Sequence, residues 1–189
     1  MAKNDDLSVG RFLSLILRHR PEAVGITLER EGGWADTAEL IKKVRAAGYE
    51  LDMERLERIV RENNKQRYSF NEDKTKIRAN QGHSIDVVIP MKIAEPPDEL
   101  YHGTSTEFID SIKREGIRSM KRQYVHLSGD KETAETVGAR HTRKSGRVCI
   151  LVIDTKTMHR DGYIFRLSDN GVWQSETIPW KYVREMVYP

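Results

Sequence analysis

The sequence predicts an α+β protein of two lobes. Residues 1–95 read as helices followed by a hairpin. A double proline, Pro96 and Pro97, then interrupts the chain, and residues 96–189 hold many short strand-like runs and two helices. A length of 189 residues suits one domain or two small ones, at roughly 150 residues per domain.

Ser8 can cap a first helix whose apolar residues are Phe12, Leu13, Ile16 and Leu17, and Pro21 ends it. Asp36 with Glu39 forms a capping-box-like start; Leu40, Ile41 and Val44 follow at helical spacing until Gly48. Asp52 caps a third helix with Leu56, Ile59 and Val60 on one face. YSFNEDKTKIRA then offers two strand-like runs about a polar turn at 71–74. Helix, helix, helix and hairpin is the order of a winged helix, whose third helix and wing usually face nucleic acid. A small bundle with an appended hairpin has the same order.

Residues 86–98 contain a strand-like run before the double proline, which can continue neither a helix nor a central strand, so the linker is expected there. LYHGT reads as a strand ending at a glycine. Thr104 with Glu107 opens a helix carrying Phe108, Ile109 and Ile112, which Gly116 ends. YVHLS is a strand, residues 130–137 a short helix, and RVCILVID the strongest strand of the chain. YIFRLSDNGVWQSE is two strands about Asp169, Asn170 and Gly171, and REMVYP a last strand.

The net charge is +3, divided as +1 before and +2 after residue 95, so there is no basic tail. A nucleic-acid binder is not excluded by this, since an anion site needs only a few converging cations. No apolar run approaches the roughly 18 residues of a membrane span. The start MAKNDDLS lacks the apolar stretch of a secretory signal, so a cytosolic, globular protein is expected. The single cysteine, Cys149, excludes a disulfide framework and a Cys-rich zinc site, and its apolar run makes it a buried, inert thiol. No HExxH, Cys pair or dense carboxylate cluster suggests a metal, and no GxGxxG or GxxxxGK[ST] suggests a Rossmann or P-loop nucleotide site.

Five constellations can carry chemistry. Arg18 and His19 stand at a helix C-terminus, either as cationic caps or as an anion site in which Arg18 offers a planar fork to phosphate. Lys65, Gln66 and Arg67 form a basic turn, solvated or aimed so that Arg67 joins Arg18. Gln81, Gly82, His83 and Ser84 form a polar loop of small donors. In Tyr101, His102, Gly103, Thr104 and Ser105 the glycine permits close ligand contact and the following helix presents free N–H groups, unless this is only a strand-to-helix turn. Alternation puts Arg122, Tyr124, His126 and Ser128 on one strand face, turned to solvent or to a polar ligand. Trp173, after Asn170, Gly171 and Val172, either stacks on a base or belongs to the hairpin core.

Together these segments resemble the NAD-dependent RNA 2′-phosphotransferase family from about residue 14 to residue 180. The carrying stretches are LRH (17–19), KQR (65–67), QGHS (81–84), LYHGT (100–104), EGI (115–117), R-x-x-VHLS (122–128), VG (137–138) and NGVW (170–173). Each alone is weak; all of them in order across two lobes are specific. The departures are Asn64 for the usual Asp, Tyr68 for Phe, Tyr124 for a His and Gln174 for an apolar residue.

The resemblance implies an N-terminal winged-helix RNA lobe and a C-terminal ADP-ribosyltransferase-like lobe of mixed or antiparallel strands. It implies NAD+ as co-substrate without a metal, and an RNA bearing an internal 2′-phosphate, of the kind met in tRNA splicing. Arg18, His19, Arg67 and Arg122 match the family's catalytic tetrad, and His102, His126 and Val172 its NAD pocket. Gly103, Thr104, Leu127, Ser128, Asn170, Gly171 and Trp173 extend that pocket; Lys65, Gln66, His83 and Ser84 are expected at the RNA. The chain is expected to act as a monomer away from membranes. Two other functions share these features: an ADP-ribosyltransferase that caps terminal phosphates of RNA or DNA, and a non-enzymatic winged-helix nucleic-acid-binding protein. A toxin-like protein ADP-ribosyltransferase fits less well, since Val172 stands where a glutamate belongs.

Overall fold

Aspartates open five of the six described α-helices of the computed structural model, which describes residues 5–142 and 146–189; the first four residues of the polar start lie outside it. Asp5 accepts the Ser8 N–H at 2.6 Å and begins α1, Asp6–Arg18, so Ser8, the expected cap, is instead the donor. β1, Ala35–Asp36, leads into α2, Thr37–Ala46, where Asp36 accepts the Glu39 N–H at 2.7 Å. Asp52 does the same for the Arg55 N–H at 2.8 Å and opens α3, Met53–Glu62. β2, Tyr68–Phe70, and β3, Lys76–Ala79, form the expected hairpin, with Phe70 opposite Ile77. β1 pairs with the other edge of β3, giving the order β1-β3-β2. A strand of two residues has no periodicity to read, and β1 was not expected.

The apolar stripe of α1 (Val9, Leu13, Ile16, Leu17) is buried with Leu40, Val44, Leu56, Ile59, Tyr68 and Ile77 in one core. Burial of each such side chain contributes about 1.5–3 kcal/mol. Asp6 adds ion pairs to Arg55 and Arg58 at 2.9 and 3.1 Å, tying α3 to α1.

Contacts divide the chain into residues 1–90 and 91–189. The boundary lies before the double proline, because the residues just ahead of it already belong to the second unit. There β4, Lys92–Ile93, pairs with a later strand, Pro96 is buried, and Thr155 Oγ1 donates to the Pro97 carbonyl.

Next come β5, Glu99–Ser105; α4, Ile109–Glu115; β6, Val125–Leu127; and α5, Lys131–His141. They are followed by β7, Val148–Asp154; α6, Thr155–Arg160; β8, Arg166–Leu167; β9, Trp173–Ser175; and β10, Val183–Val187. Two antiparallel sheets form, β10-β7-β5 and β4-β8-β9-β6. β7 is central in the first, which is why its sequence is continuously apolar; Cys149 is 0% exposed. A bridge between Tyr101 and Ser128 joins β5 to the end of β6.

β5 does not stop at Gly103. Thr104 pairs with Cys149, and Ser105 rather than Thr104 caps the 3-10 turn that precedes α4. The helix α6, capped by Asp154, was not expected, since Met158 is the one large apolar residue in TKTMHR. Among the described residues the fold is α+β, with antiparallel pairing in all three sheets.

Candidate active site

In the first unit the end of α1 gathers the cations. Arg18 is the last helical residue, and His19 caps the helix, its backbone N–H returning to the Leu15 carbonyl at 3.0 Å. The QGHS loop docks there. Its Ser84 N–H donates to the Arg18 carbonyl at 3.0 Å, and Ser84 Oγ lies 2.9 Å from Nδ1 of His19. One loop therefore satisfies a terminal carbonyl and orients the imidazole beside it.

His83 of the same loop is 2% exposed. It is buried under the helix end, where a ring hydrogen bond to the Leu17 backbone holds it. Burial first, then the charges of Arg18 and His19, push its pKa from 6.5 down to about 4. The imidazole is thus neutral and supports the helix end from within; the contact with RNA expected of its side chain is not available to a buried ring.

The second arginine comes from the turn after α3. Arg67 Nη1 donates to Asn63 Oδ1 at 3.0 Å, and the Arg67 carbonyl accepts the Asn80 N–H at 2.9 Å. Gln66 sits at φ 42°, in the left-handed region, and Lys65 and Gln66 are exposed. The hydroxyl of Tyr68 feels the charge of both arginines. It donates to the Gly10 carbonyl at 2.6 Å and accepts from Ser14, while burial raises its pKa and the charges of both Arg18 and Arg67 pull it back. The sequence placed these arginines 49 residues apart; the fold directs both charges onto one hydroxyl.

In the second unit strand pairing makes the arrangement. His102 on β5 shares Nδ1 with the His126 carbonyl at 3.1 Å. Its pKa is lowered by burial, against the His126 carbonyl, and further by the charges of His141 and Arg122. A neutral ring that donates from Nδ1 leaves Nε2 as a hydrogen-bond acceptor. Ser128 exchanges both backbone hydrogen bonds with Tyr101, at 2.8 and 2.9 Å. Arg122 Nη1 lies against Nδ1 of His126. Partial burial and the nearby Arg140 charge pull the Arg122 pKa down. Arg140 and His141, at the end of α5, are charges that the motifs did not flag; the ARH ending of a helix was their sequence signal.

The turn at 168–172 is tightly tied. Ser168 Oγ accepts the Val172 N–H at 3.1 Å, the Ser168 carbonyl accepts the Gly171 N–H at 2.9 Å, and Gly171 takes φ 76°. Asn170 and Ser168 are 2.8 Å apart through their side-chain oxygens.

Three expectations change. Leu127 and Trp173 pair across β6 and β9 with their side chains on the core side; Leu127 is buried, so only its backbone is available to a ligand, while Trp173 packs half-buried against the same core. Gly103 is required by a helix: a Cβ there would run into the Ala134 carbonyl of α5. Thr104 is 5% exposed within β5.

The model for the RNA 2′-phosphotransferase, Tpt1/KptA family matches residues 4–177. The chain belongs to this family. Relatives named probable RNA 2′-phosphotransferase include one from Fusobacterium nucleatum, 54% identical over 96% of this chain and 99% of its own. One from Flavobacterium johnsoniae is 49% identical over 97% and 98%. One from Streptomyces coelicolor is 42% identical over 97% of each. No described helix is long and apolar enough to cross a membrane. Among the described residues no group of three His, Cys, Asp or Glu is placed to hold a metal ion.

Proposed function

We propose that this member of the RNA 2′-phosphotransferase family removes an internal 2′-phosphate from RNA by transferring it to NAD+. The first unit acts as a winged-helix RNA lobe and the second as an ADP-ribosyltransferase-like lobe. The observation that supports this is Arg18 beside a Ser84-oriented His19 at the end of α1, with the charges of both Arg18 and Arg67 acting on the Tyr68 hydroxyl: cationic donors of the kind a phosphate dianion needs. The neutral His102 acceptor and the tied 168–172 turn suit a hydroxyl-rich, uncharged ribose, which supports NAD+ as the second substrate.

Two steps account for the chemistry. In the first, an oxygen of the RNA 2′-phosphate forms a bond to the ribose carbon of NAD+ that carries nicotinamide, and the C–N electron pair leaves with nicotinamide. In the second, the neighbouring 2″-hydroxyl attacks the phosphorus. The RNA 2′-oxygen departs and takes up the proton that the hydroxyl loses. The products are 2′-OH RNA and ADP-ribose 1″,2″-cyclic phosphate.

Phosphoryl transfer is mostly a matter of positioning and charge stabilisation. Arg18, His19 and Arg67 grip the 2′-phosphate, His19 being oriented by Ser84. Arg122 stabilises the phosphate charge as it develops in the second step. His102 takes a ribose hydroxyl at Nε2, while Ser128, Asn170, Gly171 and Val172 line the nicotinamide riboside.

The test is incubation with NAD+ and an oligonucleotide bearing one internal 2′-phosphate. The expected products are 2′-OH RNA, nicotinamide and the cyclic phosphate. Transfer only to terminal phosphates would favour the capping enzyme, and no nicotinamide release from any phosphorylated RNA would favour a binding protein.

A further inference from the structure

The turn that carries Arg67 has no helix or strand of its own to hold it. It lies between the end of α3 at Glu62 and the start of β2 at Tyr68. Asn63 closes it from one side. The Asn63 carbonyl accepts the Gln66 N–H at 2.8 Å, and its Oδ1 accepts the Lys65 N–H at 3.2 Å and Nη1 of Arg67 at 3.0 Å. Gln66, the residue before the arginine, sits at φ 42°. That region is unfavourable for a residue with a Cβ and persists where neighbours enforce it.

Asn80 enforces it from the other side. This residue directly follows β3 and is 3% exposed. Its Nδ2 donates to the Gln66 carbonyl at 2.7 Å, and its backbone N–H donates to the Arg67 carbonyl at 2.9 Å. The peptide groups before and after the Arg67 Cα are therefore both held by one residue. A residue has only two soft backbone dihedrals, so pinning the peptide planes on either side sets the direction in which its side chain leaves the chain.

The other arm of the amide is idle. Asn80 Oδ1 is buried and has no donor among the described residues. A half-satisfied buried amide costs stability, whereas an apolar group of the same shape costs little. Packing gives no reason for an asparagine here; the hold on the arginine turn does. Asn80 also begins the segment that serves the end of α1, where the Ser84 N–H holds the Arg18 carbonyl and Ser84 Oγ faces His19. Residues 80–84 thus brace the Arg67 turn at one end and the Arg18–His19 corner at the other.

We infer that Asn80 is the positioning residue of Arg67, fixing through both flanking carbonyls the direction from which the guanidinium grips the 2′-phosphate. What Arg67 grips rests on the RNA reading above; how Arg67 is held does not.

The experiment uses Asn80→Leu, which keeps the volume and removes the amide, alone and combined with Arg67→Ala. Asn80→Ala is the second variant, should leucine disturb the core. Gln66 is exposed, so water can take its carbonyl, and the melting temperature of Asn80→Leu should hold or rise. Its kcat/KM for RNA with an internal 2′-phosphate should nevertheless fall about 5- to 30-fold, the worth of one hydrogen bond that selects a conformation. The loss should lie in the KM of the RNA and leave the KM of NAD+ unchanged. In the Arg67→Ala background the same substitution should change kcat/KM less than about twofold, because the group it positions is gone. The same loss with and without Arg67, which a merely structural role gives, overturns the inference, as does an unchanged kcat/KM. Amide hydrogen exchange reads the hold without substrate. The N–H groups of Gln66 and of residue 80 should exchange about fivefold faster or more in the variants, while those of α1 and α3 keep their rates. Unchanged exchange at Gln66 overturns the inference. If wild type removes no 2′-phosphate, the RNA reading fails, and exchange alone decides whether Asn80 holds Arg67.

Discussion

His83 should make the folded protein acid-sensitive in a defined window. Its ring lies beneath the end of α1 in apolar surroundings, where a Cβ added to Gly33 would meet Nε2 of His83 and the side chains of Ile89 and Val87. Its pKa is about 4 against an ordinary 6.5. Between those values the unfolded chain binds a proton that the folded chain refuses, so stability falls as pH drops through 6.5 towards 4. The full difference amounts to about 3 kcal/mol, of which about 2.5 kcal/mol is lost between pH 7 and pH 4.5. Urea unfolding at a series of pH values measures this, with His83→Asn as the comparison, since an amide can still reach the Leu17 backbone but does not titrate. The variant should lose about 2.5 kcal/mol less than wild type on acidification. The ring signals of His83 should show no titration above pH 5 by NMR. An identical pH slope in both proteins, or a His83 titration near 6.5, would refute the account of burial.

Alanine at Arg18, His19, Arg67 or Arg122 should lower turnover about 10²- to 10³-fold, the usual effect of removing a charge-stabilising donor. In Arg18→Ala, His19→Ala and Arg122→Ala the ADP-ribosylated RNA should accumulate in a time course; equal loss of both steps in all three would contradict the division of labour. Gly103→Ala forces a methyl against the Ala134 carbonyl, a backbone atom that cannot swing aside, so the melting temperature should fall by about 5 °C or more in a thermal scan. Asp6 is pushed up by burial but held below its ordinary 3.8 by the hydrogen bonds and charges of Arg55 and Arg58. Asp6→Asn should therefore cost up to about 1 kcal/mol above pH 4, a cost that vanishes as wild-type Asp6 protonates in acid. RNA affinity should fall only modestly with salt, with a log–log slope of about −0.7 for each phosphate neutralised on a single strand and few phosphates held; a slope near that of a long DNA-tracking protein would count against so compact a contact.

Local signals carried far in this chain. Asp36 and Asp52 cap the helices they were expected to cap, the β2–β3 hairpin falls where YSFNEDKTKIRA placed it, and β7 runs where VCILVI is most apolar. Each depends on chemistry within a few residues. The misreadings occur where a neighbour in space outbid the local pattern. Thr104 was drawn into β5 by pairing with Cys149, leaving the cap to Ser105. Pro96 and Pro97 read as a linker, but the Pro97 carbonyl is bound by Thr155, 58 residues away. β1 and β4 are too short to show a period at all.

The identity of the chemical groups was written in the sequence: three arginines and the His19, His102 and His126 imidazoles sit in motifs that are weak one at a time and specific when read in order. What tertiary structure alone decided is the state of those groups and which of them can meet a ligand. The same residue type, histidine, becomes an oriented side chain at His19, a neutral support at His83 and a neutral acceptor at His102. Burial and the Leu17 and His126 backbones make the difference, and these come from distant parts of each unit. Strand alternation likewise turned Leu127 and Trp173 into the core and left His126 and Gln174 on the opposite face. Protonation and facing depend on what surrounds a side chain in three dimensions, and no spacing along the chain encodes that by itself.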